Sequence, residues 1–288
     1  MWHRACLALS LLLALVFALA APAAAADRFF MTSDGVRLHY TDQGAGKPLV
    51  LVPGWCMPAW IFDRQITDFS RTYRVIAFDP RAQGESDIPP GGYDPFRRGR
   101  DIAELIAQLG PGQQPVVLGW SLGVLDVLAY VHEFGDARIA GLVLVDNSVG
   151  EEPAPVPPRH QAKPSRRRPI AREVSMRAFV RSMFRVPPPP DLVDRLTDAA
   201  LRVPQADAAA LLDYRVPRSY WKEAVYATDK PVLYLVTPRF SGQAGNLAVH
   251  HADAESVVVQ NVGHAMFVDD PARFDSLVGN FLRQRVWR

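Results

Sequence analysis

The chain has 288 residues, with 32 Lys and Arg against 30 Asp and Glu, a formal net charge of +2, and 49% hydrophobic residues. So even a charge balance gives no reason to expect a nucleic-acid partner. Only two cysteines are present, so a large buried core, not a disulfide framework, must supply the stability.

Met1-Trp2-His3-Arg4 begins the chain with a basic residue, Ala5 to Ala20 is almost unbroken apolar sequence, and Ala21 to Ala26 is small and alanine-rich before Asp27. A basic start, a short apolar core and an A-x-A end predict a secretory signal peptide cleaved after Ala26. The apolar run is slightly short for a bilayer span, so the expected product is a periplasmic or secreted protein with no stable membrane anchor. Cys6 would leave with the peptide. Cys56 would then stand alone, and an internal disulfide would be impossible.

Phe29-Phe30-Met31 and Val36 to Tyr40, separated by Ser33-Asp34-Gly35, predict an opening antiparallel hairpin. Pro48 to Val52 is a continuous apolar run of strand length, the pattern of a strand buried on both faces. It ends at Pro53-Gly54-Trp55-Cys56. A helical segment from Trp60 to Phe69 is followed by the strand Tyr73 to Phe78 and the loop Asp79-Pro80-Arg81-Ala82-Gln83-Gly84-Glu85-Ser86, whose Asp and Arg read as braces of the loop. Ile102, Leu105, Ile106 and Leu109 fall at helical spacing and stop at Gly110-Pro111.

Pro115 to Leu118 then leads into Gly119-Trp120-Ser121-Leu122-Gly123, and Val124 to Phe134 reads as a helix. Strand, tight turn and helix with a serine at the apex form a nucleophile elbow. Such a turn forces the serine to positive φ, lifts its hydroxyl off the sheet, and requires residues with almost no side chain two positions before and after it. The helix start adds a free N–H and a positive dipole end where negative charge can develop. Ile139 to Val145 is a further buried strand, ending at Asp146-Asn147-Ser148. Strands alternating with helices at this spacing predict a mostly parallel, doubly wound α/β sheet.

From Gly150 the chain turns proline-rich, with Pro153 to Pro158 and Pro187 to Pro190 around a basic cluster of Arg159, Arg166, Arg167, Arg168 and Arg172. Dense proline breaks sheet and helix alike, so residues 150–228 are expected to form a helical lid insertion, with helices near Ala171–Phe184, Asp191–Leu201, Ala206–Tyr214 and Ser219–Tyr226. The remaining core would comprise residues 27–149 and 229–288. Pro231 to Val236 and Ser256 to Val259 resume the sheet, and Phe274 to Trp287 close the chain as a helix. Gly263-His264 follows the last strand, where a histidine can reach the elbow hydroxyl as a general base. His250-His251 with Asp253 lacks the helical spacing and third ligand of a metal site, so no metal and no organic cofactor is expected.

Pro53-Gly54-Trp55, Asp79-Pro80-Arg81 with Gly84-Glu85-Ser86, Gly119 to Gly123, and Gly263-His264 followed by Asp270-Pro271 together resemble the α/β-hydrolase superfamily, notably its esterase and cofactor-free haloperoxidase-like branch. The resemblance implies that Ser121 is the nucleophile, His264 the base, and the N–H groups of Trp55 and Leu122 the oxyanion hole. Two departures stand out. The family's usual histidine before the oxyanion-loop glycine is here Pro53, so that loop must be supported differently. The segment after Pro231–Val236, where the family's acid usually lies, has no carboxylate from Thr237 to Gly242. The acid is therefore assigned to Asp146, with Asp253 as the rival and a Ser–His dyad as the third reading. Ester cleavage of a small, apolar acyl substrate through an acyl-enzyme is the expected function, with Trp55, Trp60, Phe179, Met183 and Phe184 as the expected acyl pocket. A C–C bond hydrolase, a perhydrolase or a non-catalytic binding protein on the same fold are the alternatives. Cys56 is expected to be a bystander whose modification by a bulky thiol reagent would block access.

Overall fold

A computed structural model describes residues 26–154 and 171–288. The proposed signal segment before Ala26, and Arg159 and Arg166 to Arg168 of the basic cluster, lie outside these residues. Eight strands form one sheet among the described residues: β1 (Ala26–Met31), β2 (Arg37–Gln43), β3 (Pro48–Val52), β4 (Arg74–Asp79), β5 (Val116–Trp120), β6 (Gly141–Val145), β7 (Val232–Val236) and β8 (Ala254–Val258). Their spatial order is β1-β2-β4-β3-β5-β6-β7-β8. β1 and β2 pair antiparallel, as the hairpin pattern predicts, and β2 pairs antiparallel with β4; every later pairing is parallel. β3, β5, β6 and β7 are buried at every residue, which is why each reads as an uninterrupted apolar run.

The helices of the first half are α1 (Asp63–Phe69), α2 (Pro95–Gln108) and α3 (Leu122–Phe134). α1 carries the chain from β3 outward to β4, whereas α2 carries it back across β3 to β5. Right-handed crossovers in opposite directions put α1 on one face of the sheet and α2 and α3 on the other. The reversal leaves a crevice at the carboxyl ends of β3 and β5, where open α/β sheets hold their ligands. α2 starts seven residues before the predicted Ile102, because Asp94 accepts the Arg97 amide as an N-cap and Pro95 fits the first turn.

Between β6 and β7 lie α4 (Arg172–Ser182), α5 (Pro190–Arg202), α6 (Gln205–Ala210) and α7 (Arg218–Ala227). They match the predicted helices closely, except that α6 ends at Ala210 instead of Tyr214. Proline opens or precedes α5, α6 and α7, so the residues that break the sheet also start the helices. This helical segment is tied down at separate points. Arg98 of α2 donates to the Leu211 carbonyl (2.8 Å) and Arg202 to those of Ala82 and Ser86. Arg172 is spent inside the segment, donating to the carbonyls of Leu201 and Val203.

The two ends of the segment between β6 and β7 are clasped by Glu151. Its carboxylate accepts from Tyr226 (2.6 Å), from Lys222 (3.0 Å) and from the Glu152 amide (2.8 Å), joining the first residues of the segment to its last helix. Burial opposes the charge, but these donors outweigh it and hold the Glu151 pKa down at about 2. A depressed carboxylate stabilises the fold above its unfolded value near 4.3 and loses that contribution as pH falls through about 2. Thermal melts between pH 5 and 2 should therefore show a decline that Glu151→Gln lacks. At pH 7 the variant should melt several degrees lower, corresponding to about 1–3 kcal/mol for a buried, charge-assisted cluster.

After β7 come α8 (Ser241–His250), α9 (Met266–Asp269) and α10 (Pro271–Phe281), which passes into a π-helical turn, Leu282–Val286. α10 packs on α1. α8 carries no sequence signal comparable to the others: Gly242 and Gly245 weaken it, and only Gln243, Ala244 and Leu247 are buried.

Candidate active site

The elbow adopts the predicted strain, with Ser121 at φ 56° and ψ −120° between β5 and α3. A Cβ on Gly119 would lie 2.4 Å from the Gly123 carbonyl oxygen, and one on Gly123 2.4 Å from that of Val52. Both positions are closed to any other residue. Ser121 N–H donates to the Val145 carbonyl (2.9 Å), and the Asn147 side chain donates to the Ser121 carbonyl (2.7 Å), so β6 and its following loop hold the turn from one side. Trp120 is fully buried against Phe62 and Phe267, and its Nε1–H donates to the His264 carbonyl (2.8 Å). The residue beside the serine thus anchors the loop that carries the histidine.

His264 Nε2 lies 2.8 Å from Ser121 Oγ, and His264 Nδ1 lies 2.7 Å from Asp146 Oδ2. An ionised carboxylate can only accept, so Nδ1 is the protonated nitrogen and Nε2 the acceptor facing the hydroxyl. Asp146 Oδ1 accepts from both the N–H and the hydroxyl of Thr237, each at 2.7 Å. With its side chain 4% exposed and both oxygens engaged, Asp146 is held in one orientation. Its own backbone sits at φ 49°, and its N–H donates to the Leu235 carbonyl (2.9 Å). Thr237 occupies the first position after β7, within the stretch that the sequence shows to lack a carboxylate, and its two donors serve the aspartate of the neighbouring strand end.

Asp253 lies at the opposite edge of the sheet. Its carbonyl accepts from Val232 at the amino end of β7 (3.0 Å), and its carboxylate is 3.7 Å from Arg285. Parallel strands present their carboxyl ends at one edge, so Asp253 is separated from Ser121 by the length of a strand. His250 bonds the Asn246 carbonyl and His251 the Asp253 amide, and among the described residues no group of three or more His, Cys, Asp or Glu is placed to hold a metal.

The Trp55 amide, in the loop after β3, and the Leu122 amide, at the start of α3, have no acceptor among the described residues. A Cβ on Gly54 would lie 2.9 Å from Ser121 Cβ, so only glycine lets this loop approach the nucleophile. Pro53 cannot brace the loop by a side-chain hydrogen bond, and Gln83 does so instead. Its Nε2 donates to the Gly54 and Met57 carbonyls (both 3.1 Å) while its Oε1 accepts from Cys56 N–H (2.8 Å). Asp79 and Arg81 brace their surroundings as well: Asp79 accepts from the Ala59 amide and His39, and Arg81 pairs with Asp101 and Asp34.

The Cys56 thiol is 1% exposed, and burial pushes its pKa up to about 12. That corrects the expectation of a reagent-sensitive thiol, because a buried thiol with almost no thiolate is a poor nucleophile. Ellman's reagent should leave the native protein untouched and titrate Cys56 only in denaturant, and Cys56→Ser should keep most of any activity.

A cavity of about 610 Å³ opens on the His264–Asp146 side and is lined by Phe179, Met183, Val262, Thr237 and Arg239 among others. Trp55 stands edge-on to Phe179 (5.0 Å) with its Nε1–H on the Ala208 carbonyl (2.7 Å). Trp60 and Phe184 depart from the expected pocket. The Trp60 ring lies under the Arg195 guanidinium (4.4 Å), and Phe184 lines a separate cavity with Arg177, Arg181 and Val193. Asp269, unremarked in the sequence, accepts the amides of Gly263 (2.6 Å), Arg185 (2.9 Å) and Val186 (3.2 Å), tying the histidine loop to the end of α4.

Known proteins share part of this sequence and its fold. The chain is 39% identical over 117 residues to a non-heme chloroperoxidase of Streptomyces lividans and 36% identical over 118 residues to a non-heme haloperoxidase of Rhodococcus erythropolis. These matches cover 40% and 41% of this chain and span only 42% and 43% of those relatives. Among solved structures, an esterase from Rhodococcus sp. ECU1013 superposes with a TM-score of 0.73 at 26% identity, over 90% of this chain and 99% of that one. A bromoperoxidase from Bacillus anthracis shares the fold, with a TM-score of 0.75 at 18% identity over 90% of this chain and 100% of that one. The sequence model described as "Alpha/beta hydrolase family" matches residues 49–277, from β3 into α10, and so the chain belongs to the alpha/beta hydrolase family.

Proposed function

We propose that this protein is a serine hydrolase that cleaves a carboxylic ester through an acyl-enzyme at Ser121. The observation that carries the reading is the unbroken line from Asp146 through His264 to Ser121 Oγ, with contacts of 2.7 and 2.8 Å, beside two unengaged amides. In the proposed cycle Ser121 Oγ attacks the ester carbonyl as its proton passes to His264 Nε2, and Asp146 stabilises the imidazolium. The Trp55 and Leu122 N–H groups donate to the oxyanion, aided by the start of α3. His264 then protonates the departing alkoxide, the alcohol leaves, and water activated by the same nitrogen hydrolyses the acyl-enzyme. No metal or cofactor is required by this chemistry. α4 to α7 serve as a lid over the acyl site, with Trp55, Phe179 and Met183 forming the apolar wall for a small acyl substrate. Export to the periplasm or medium is part of the same proposal, resting on the composition of the first 26 residues. N-terminal sequencing of native protein should begin at Asp27, and a retained Met1 would overturn it.

p-Nitrophenyl esters of graded chain length test the reaction class, together with labelling of Ser121 by a fluorophosphonate. Turnover with labelling supports the reading, and absence of both favours a non-catalytic binding protein. The haloperoxidase names of the sequence relatives favour one second reading, a perhydrolase, in which hydrogen peroxide replaces water as the acceptor of the acyl group. Peroxide-dependent bromination of monochlorodimedone in acetate buffer, lost in Ser121→Ala, would distinguish it.

A further inference from the structure

Beside His264 the cavity is not uniformly apolar. β7 ends in a 3₁₀ turn, Pro238–Phe240, clamped at both ends. Thr237 is bonded to Asp146, Phe240 N–H donates to the Thr237 carbonyl (3.1 Å), and the Phe240 ring is buried. Between these two anchors Arg239 is carried into the lining of the cavity that also contains His264 and Asp146. Its guanidinium lies 5.3 Å from the Phe240 ring centre and has no ion pair or hydrogen bond among the described residues. Arg177 pairs with Asp194, Arg202 with two carbonyls and Arg218 with Glu152, while Arg181 and Arg185, which have no side-chain partner among the described residues, line a separate cavity that does not include His264.

The charges of the cavity are therefore unequal. Asp146 is fully committed to His264 and Thr237, so the only unspent charge among the lining residues is the positive one of Arg239. A guanidinium presents parallel N–H donors that match a carboxylate, and the exposed Arg239 side chain offers them at the solvent side of the cavity, beside the apolar surface of Phe179, Met183 and Val262. We infer that Arg239 is a specificity-determining residue that selects esters carrying a second, free carboxylate. Dicarboxylic monoesters and carboxylate-bearing aryl esters are the substrate class this chemistry fits. The inference rests on the serine-hydrolase reading for turnover, but its binding component is separable from it.

Two matched pairs of probes place the carboxylate on either side of the scissile bond. Mono-p-nitrophenyl adipate is compared with p-nitrophenyl hexanoate, and 4-acetoxybenzoate with phenyl acetate. For an ion pair open to solvent, Arg239→Met should lower the anionic-to-neutral ratio of kcat/KM by about twofold to fivefold in at least one pair. Arg239→Lys should recover part of that ratio, because charge is restored without the bidentate fork. Binding of monomethyl adipate and neutral dimethyl adipate to the Ser121→Ala protein is measured alongside by calorimetry. Selective loss of monomethyl adipate binding in the Arg239→Met background upholds the inference even where no ester is turned over, an outcome that would instead sink the hydrolase reading. Equal effects of Arg239→Met on charged and neutral probes, in turnover and in binding, would overturn it.

Discussion

Ser121→Ala should leave a folded protein in which ester turnover has dropped by about six orders of magnitude, the scale seen when a triad serine is removed elsewhere. On the proposed mechanism the substitution takes away the atom that forms the acyl-enzyme. Cys56, the one cysteine among the described residues, is buried with a thiol pKa of about 12, and its amide rather than its sulfur faces Gln83. Alanine keeps the Cβ that the elbow already accommodates at φ 56°, so the melting temperature should move by only a degree or two. Substrate binding should survive, since neither the Trp55 nor the Leu122 amide depends on the hydroxyl. Single-turnover kinetics, intact-mass detection of the acyl adduct and a thermal melt together check the prediction. A variant that still accumulates an adduct would place the nucleophile elsewhere.

Much of the scaffold was readable before any coordinates because buried parallel strands advertise themselves. Pro48–Val52, Val116–Leu118, Gly141–Val145 and Val232–Val236 are apolar on both faces and cannot be mistaken for amphipathic elements. The elbow was equally legible, since its glycines are required by contacts only a few residues apart. What stayed hidden depends on long-range proximity. Gln83 bracing Gly54, Thr237 donating to Asp146 and Asp269 holding Arg185 join residues up to 91 positions apart, and no periodicity encodes such pairs. Trp60 was misplaced for the same reason, because an aromatic at a helix start does not reveal which wall it faces. α8 was missed because two glycines and several polar residues mask a helix that buries only a narrow strip. The sequence also left Asp146 and Asp253 as competing carboxylates, and the register of β6, β7 and β8 separates them to opposite edges of the sheet.

That separation makes the consequence of altering Asp146 specific. In Asp146→Asn the side chain must satisfy the same neighbours: Thr237 N–H and Oγ–H at one oxygen, His264 Nδ1 at the other. Both Thr237 groups donate, so the amide oxygen is drawn to that side and the NH₂ is turned toward His264. A donor facing Nδ1 forces that nitrogen to accept, which puts the imidazole proton on Nε2, opposite Ser121 Oγ. The histidine is then in the tautomer that cannot take the serine proton. The expected result is a loss in kcat of about four orders of magnitude with KM and melting temperature little changed, by analogy with the corresponding change in another triad. Thr237→Val adds a control on the cause. It removes one of the two donors that orient the amide, so combined with Asp146→Asn it should lose less additional activity than it does alone in the wild type, a coupling that a double-mutant cycle measures. Asp253→Asn should leave kcat within about twofold, as expected for an exposed carboxylate 3.7 Å from a surface arginine. Near-normal turnover by Asp146→Asn would reduce the machinery to Ser121 and His264 alone, with Asp146 bracing a loop between β6 and β7.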